Sequence, residues 1–110
     1  MTEVELHIHV NKDGKLLVTP ERIHLLRLIE ETGSLLTASK QVGVSYNKAW
    51  KMIDAMNSIS SSPVVSKQRG GSGGGGAVVT DFGRLILDEY AVMEKVVSQF
   101  TQKFNAEINM

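Results

Sequence analysis

Apolar and polar residues alternate near the start of the chain and recur at helical spacing further on. Over residues 4–10 every second residue is apolar, which predicts a half-buried strand. The turn residues at 11–14 and the apolar run at 16–18 predict that this strand folds back as a hairpin. A β-hairpin is therefore expected before the first helix.

The first helix is predicted to begin at residue 20. Thr19 is suited to cap it, and Pro20 occupies the first helical position, where its missing N–H costs no hydrogen bond. The helix is expected to end near Gly33. The residues predicted to face the core are Ile23, Leu25, Leu26, Leu28 and Ile29.

Two further helices are predicted at about 34–42 and 45–60, and each opens on a serine. Ser34 and Ser45 are typical N-cap residues, and Gly43 lies where the chain must turn between the helices. This spacing is typical of a helix-turn-helix. Intervals of three and four residues predict that the buried stripe of the second helix is Ala49, Ile53, Met56 and Ile59.

Two short extended runs, at 63–69 and 77–80, flank a glycine-rich tract at 70–76. The pattern predicts a β-hairpin with a long glycine tip, whose backbone could approach a ligand closely. A flexible linker is the alternative interpretation of the same composition.

A last helix is predicted from the residues at 80–84 to about residue 105. Its apolar residues recur at alternating intervals of four and three, which is the spacing of a heptad seam. We interpret it as a dimerisation helix; the alternative is that it folds back on its own domain. The predicted seam consists of Ile86, Tyr90, Met93, Val97, Phe100 and Phe104.

Charge is balanced over the whole chain but unevenly distributed. The formal net charge is zero, yet residues 34–84 carry six basic and two acidic residues, while both flanking segments are acidic. The absence of cysteine excludes disulfides, thiolate metal sites and cysteine nucleophiles. His7 and His9 share a face of the first predicted strand without a third ligand, and no catalytic constellation is visible. We therefore expect no metal, no cofactor and no enzyme activity.

The basic segment contains the helix-turn-helix, so its polar residues are candidates for DNA contacts. Asn can pair with adenine in the major groove, and Lys can reach guanine or a phosphate. Trp50 is expected to pack in the core rather than to contact DNA. The predicted DNA-binding residues are Ser34, Thr37, Lys40, Ser45, Tyr46, Asn47, Lys48, Lys51, Lys67, Gln68, Arg69, Gly70 and Gly71.

Several of these segments resemble the N-terminal DNA-binding domain of ModE-type molybdate-responsive transcriptional regulators, which is also similar to the LysR-type winged helix. The resemblance is densest over residues 22–90. It is carried by Thr32-Gly33-Ser34, Ser45-Tyr46-Asn47-Lys48-Ala49-Trp50, Asp54 with Met56-Asn57, the glycine tract with Ala77, and Thr80-Asp81-Phe82-Gly83-Arg84.

The resemblance implies an α+β, mainly α, winged helix-turn-helix with an N-terminal β-hairpin and a long C-terminal dimerisation helix. We expect a DNA-binding domain at 1–84 and the dimerisation helix at 85–110. The expected function is a homodimeric, sequence-specific regulator that binds double-stranded DNA. The alternative is a winged-helix protein-interaction module without sequence-specific DNA binding.

Because the chain ends at Met110, it leaves no room for the oxyanion-binding modules of full-length family members. We therefore expect that it does not itself bind molybdate. No signal or membrane-spanning pattern is present in the sequence, so a cytoplasmic location is expected.

Overall fold

The computed structural model describes residues 2–68 and 76–107, the last two of these for their backbone alone. The fold is α+β and mainly helical, as predicted, with two small antiparallel sheets. In chain order its elements are β1 (Val10–Lys12), β2 (Lys15–Val18), α1 (Pro20–Thr32), α2 (Leu35–Val42), α3 (Tyr46–Ile59), β3 (Val65–Gln68), β4 (Gly76–Val79) and α4 (Asp81–Glu107).

The predicted helix caps are confirmed. The hydroxyl of Thr19 accepts a hydrogen bond from the N–H of Arg22 at the start of α1. Ser34 and Ser45 do the same for α2 and α3, at 3.1 and 3.0 Å. Gly43 ends α2 with φ of 88°, a left-handed conformation that glycine adopts without steric cost. The helix boundaries predicted from the sequence are therefore close to those of the structure.

The predicted strand over residues 4–10 is wrong in extent, because β1 begins only at Val10. The segment before it lies against α4 instead. The hydroxyl of Tyr90 donates to the carbonyl of Ile8 at 3.0 Å, and the N–H of Val4 donates to Asn105 Oδ1. Leu6 is left exposed. An extended segment laid on a helix has the same two-residue periodicity as a strand, so the pattern does not distinguish them.

The core lies between α1, α2, α3 and the second hairpin, and α4 covers one side. Ile23, Leu26 and Ile53 are among its fully buried residues. In α3, Met52 is buried and Ile59, at the end of the helix, is only half-buried, which corrects the predicted stripe at these two positions. In α1, Leu28 is half-buried rather than part of the core.

The predicted seam of α4 does not form one open face. Tyr90 is 3% exposed and Ile86 packs against the core of its own chain. Met93, Val97 and Phe104 are half-buried, and Phe100 is exposed. Heptad spacing defines a helix face, but it does not say whether a second chain or the same chain covers that face. Here the core of the same chain covers the first part of it.

A second apolar stripe of α4 is open to solvent. It consists of Leu85, Val92, Val96 and Phe100, each more than half exposed. These residues lie on one side of the helix at intervals of seven, four and four residues. We call them the α4 apolar face.

The start of α4 is joined to the second hairpin by a close contact. The N–H of Thr80 donates to the carbonyl of Val64 at 3.0 Å, and the hydroxyl of Thr80 accepts from the N–H of Gly83 at 3.0 Å. A Cβ on Gly83 would lie 2.2 Å from the Val64 carbonyl oxygen and 2.8 Å from Val79 Cγ1. Only glycine permits this approach.

We expect Gly83→Ala to lower the free energy of unfolding by about 1–3 kcal/mol, because the new methyl group would displace the hairpin from α4. The effect opposes the gain of about 1 kcal/mol that alanine brings to a helix interior. Urea denaturation measures it. Gln99→Ala, at an exposed position of the same helix, is the control and should leave stability nearly unchanged. An unchanged or raised stability of Gly83→Ala would contradict the close contact.

Candidate nucleic-acid interface

The first turn of α3 is open to solvent along its polar side. α2 and α3 are joined by a three-residue turn, in which the N–H groups of Gly43 and Val44 both donate to the carbonyl of Ser39 at 3.0 Å. Ser39 itself is buried. This anchored turn holds α3 against α2 and leaves Asn47, Lys48 and Lys51 exposed.

The serines predicted to bind DNA have structural tasks as well. The Ser45 and Ser34 side chains are engaged in capping, and Ser34 is half-buried. Ser34 also forms an isolated bridge with Gly76, the first residue of β4. Thr37 and Lys40 are exposed on α2. The structure thus places these residues at the junction of α2, α3 and the hairpin.

An acidic residue faces the first turn of α3. Lys48 Nζ lies 3.6 Å from a carboxylate oxygen of Glu21, at the start of α1, and both side chains are about half exposed. The pair partly neutralises one of the predicted DNA contacts and holds its side chain over α1. Glu21 carries no local signal for this role, since only the tertiary fold brings the starts of α1 and α3 together.

The second hairpin lies beside the same helix. β3 and β4 are antiparallel, with Lys67 opposite Ala77 and Gln68 opposite Gly76. Lys67 and Gln68 are both exposed. The predicted contacts Arg69, Gly70 and Gly71 lie outside the described residues.

Asn57 joins α3 to the base of this hairpin. Its Oδ1 accepts hydrogen bonds from the N–H groups of Val64 and Val65, at 2.8 and 3.4 Å. Its Nδ2 donates to the carbonyl of Val65 at 3.1 Å. A side-chain amide can accept through its oxygen and donate through its nitrogen at the same time. Asn57 was noted in the sequence only as part of a family resemblance, with no role assigned.

Three side chains form a contact between α3 and the hairpin. Lys67 Nζ lies 4.1 Å from the centroid of the Trp50 ring, within the range of a cation–π interaction. The edge of one ring in the Tyr46–Trp50 pair meets the face of the other, with centroids 6.2 Å apart and planes at 87°. Trp50 is half-buried and packs against the core, as expected, but its ring also contacts a charged residue.

On the opposite side of the fold, α1 and α4 are tied together. The guanidinium of Arg27 donates two hydrogen bonds to the carboxylate of Glu94, which raises the pKa of Arg27. Burial raises the pKa of Tyr90, and the neighbouring Glu94 raises it further. These contacts fix α4 without contributing to the interface.

Other kinds of site find no support here. Within residues 2–68 and 76–107, no three His, Cys, Asp or Glu side chains are grouped so as to hold a metal ion. No described helix combines the length and hydropathy needed to cross a membrane. The first turn of α3 is an exposed helix end with basic side chains, and it lies beside the second hairpin.

Known proteins are similar to most of this chain. It is 39% identical over 90 residues to the molybdenum-pterin-binding protein MopB of Rhodobacter capsulatus. The matched region covers 82% of this chain and 33% of that protein. It is 34% identical over 95 residues to the transcriptional regulator ModE of Haemophilus influenzae, covering 86% and 37% respectively. The DNA-binding transcriptional dual regulator ModE of Escherichia coli is 35% identical over 94 residues, 86% of this chain and 36% of that protein. No protein-family model matches.

The chain spans about a third of the length of the relatives it matches. These relatives are named as transcriptional regulators or as a molybdenum-pterin-binding protein.

We expect Asn57→Ala to lower the free energy of unfolding by about 1–3 kcal/mol, because partly buried backbone groups of the hairpin lose their partner. Asn57→Asp keeps the acceptor for Val64 but loses the donor to Val65, so an intermediate loss is expected. Ser58→Ala, at the exposed neighbouring position, is the control. Denaturation together with hydrogen exchange at Val64 and Val65 measures the effect. Unaltered exchange at both amides in Asn57→Ala would contradict the assigned bonds.

Proposed function

We propose that the chain is a winged helix-turn-helix domain that binds double-stranded DNA in a sequence-specific manner and acts as a transcriptional regulator. The observation that carries the proposal is the exposed first turn of α3, with Asn47, Lys48 and Lys51 on its open side and Lys67 of the hairpin nearby. A DNA-binding function named for one relative agrees with it. In this proposal α3 is the recognition helix and the second hairpin is the wing.

The roles of the residues follow from their chemistry. Asn47 is exposed in the first turn of α3, which is the part of a recognition helix that contacts base edges. Its amide can form two hydrogen bonds with adenine. Lys51, one turn further on, and Lys40 on α2 are placed for phosphates. Lys48 reaches DNA by exchanging its Glu21 partner for a phosphate. Contacts from Arg69, Gly70 and Gly71 remain predictions from the sequence.

Two variants separate base reading from phosphate binding. We expect Asn47→Ala to lose about 1–3 kcal/mol of discrimination at one base position, while Lys51→Met weakens all sequences alike and flattens the salt dependence of binding. Selection from a randomised duplex library, followed by titrations at several salt concentrations, measures both. Lys12→Met, in the first hairpin, is the control for charge alone.

For the unaltered protein, three to four phosphate contacts per subunit of a dimer predict a slope of log affinity against log salt of about −5 to −7. A slope near zero, or binding that enriches no motif, would contradict the proposal. Retention of no duplex at any salt concentration would favour the protein-interaction module.

The proposal includes a homodimer formed through α4. Its first part packs on the chain's own core, so the surface offered to a second copy is the α4 apolar face together with the outer parts of Met93 and Phe104. The helix has 27 residues, about 40 Å, and the face runs along much of it. The α4 apolar face would pack against the same face of a second copy, as a two-fold interface requires. The division into a DNA-binding domain at 1–84 and a dimerisation helix at 85–110 belongs to the same proposal.

We expect Val96→Glu to convert the dimer to a monomer, because it places a charge in the middle of the α4 apolar face. Val96 is 60% exposed in the single chain, so its own fold should tolerate the change. Gln102→Glu adds the same charge to α4 away from this face and is the matched control. Sedimentation equilibrium measures the mass. A Val96→Glu protein that dimerises as strongly as the control would contradict the interface.

A cytoplasmic location and the absence of molybdate binding complete the proposal. The name of one relative refers to a molybdenum-pterin ligand, but only 33% of that protein is covered by the similarity.

A further inference from the structure

The contact of Lys67 with Trp50 is unlike the other lysine contacts of the interface. Lys48 is paired with a carboxylate, whereas the ammonium group of Lys67 rests on a neutral ring at 4.1 Å from its centroid. A carboxylate offsets the charge of the lysine that it holds. An aromatic face holds the lysine and leaves its net charge in place.

The backbone brings the two side chains together. Val65 and Lys67 are on the same face of β3, because successive side chains of a strand alternate. Val65 is buried and Asn57 holds its backbone to α3, so Lys67 is directed back over the same helix. Tyr46 meets Trp50 edge to face and supports the pair from the first turn.

The geometry leaves the ammonium group accessible. Lys67 is an exposed residue although its Nζ lies against the ring. One side of the group contacts Trp50, and its remaining N–H donors are available to a further acceptor. Holding a long lysine side chain in one place also removes, before binding, part of the side-chain entropy that a contact would otherwise cost.

We propose that Trp50 is a positioning residue for DNA binding: its ring holds the Lys67 ammonium group ready for a phosphate of the duplex. The role rests on the proposed DNA-binding function. It differs from core packing alone and from a direct contact of Trp50 with DNA.

The contact is tested first in the free protein. Protons on Cε of Lys67 lie near the face of the ring and should show an upfield ring-current shift by NMR. The shift should vanish in Trp50→Leu, which keeps an apolar side chain without the ring, and persist in Trp50→Phe. Absence of the shift from the unaltered protein would overturn the proposal without the use of any variant.

The role in binding is tested by a double-mutant cycle. We expect Trp50→Leu to weaken binding of the selected duplex about two- to fivefold per subunit, with the salt slope unchanged, and Trp50→Phe to restore most of the affinity. Lys67→Met should reduce the magnitude of the salt slope by about 0.9 per subunit. In a Lys67→Met background, Trp50→Leu should have no further effect.

The outcomes distinguish the two proposals. The same loss from Trp50→Leu with and without Lys67 would assign Trp50 a packing role only, and tighter binding by Trp50→Leu would mean that the ring withholds Lys67 from DNA. Either result overturns the positioning role while DNA binding stands. If the unaltered protein retains no duplex, the proposed function fails and the positioning role fails with it, even where the NMR shift is present.

Discussion

The backbone of Val64 is the point on which the arrangement of this protein depends. Its N–H donates to the side chain of Asn57 in α3, and its carbonyl accepts from Thr80 at the start of α4. The same carbonyl lies where a side chain on Gly83 would be. Val64 is fully buried, so both of its polar groups need these partners. One residue thereby joins α3, the second hairpin and α4.

This junction determines which residues meet at the proposed DNA-binding surface. Because Asn57 holds the start of β3, the strand runs along α3 and Lys67 reaches Trp50. The bridge between Ser34 and Gly76 holds the other strand of the hairpin to the α1–α2 connection. The relative position of α3 and the second hairpin is thus set at the edges of the surface. Of the residues proposed to contact DNA, Lys40, Asn47 and Lys51 are exposed on α2 and α3.

Local signals in the sequence predict much of this fold. The caps at Ser34 and Ser45 and the turn at Gly43 depend only on neighbouring residues, and all three are confirmed. Contacts between distant segments were not predicted. The pairing of Glu21 with Lys48 and the hydrogen bonds of Asn57 require knowledge of which elements pack together. Exposure of Asn47, Lys51 and Lys67 is a finding of the structure, whereas their contact with DNA is still a prediction.

The structure shows which charged residues of the chain are paired and which are exposed. A net charge of zero gives no indication of a nucleic-acid partner, but the acidic residues Glu30 and Glu94 are engaged with Arg84 and Arg27 at the packing of α1 against α4. Each of these pairs joins one acidic and one basic side chain, so neither adds net charge at this contact. On α2 and α3, Lys40 and Lys51 are exposed, and an aromatic ring rather than a carboxylate holds Lys67. These three lysines belong to the surface that is proposed to bind DNA, so the charge that matters for that proposal is the local one and not the net charge of the chain.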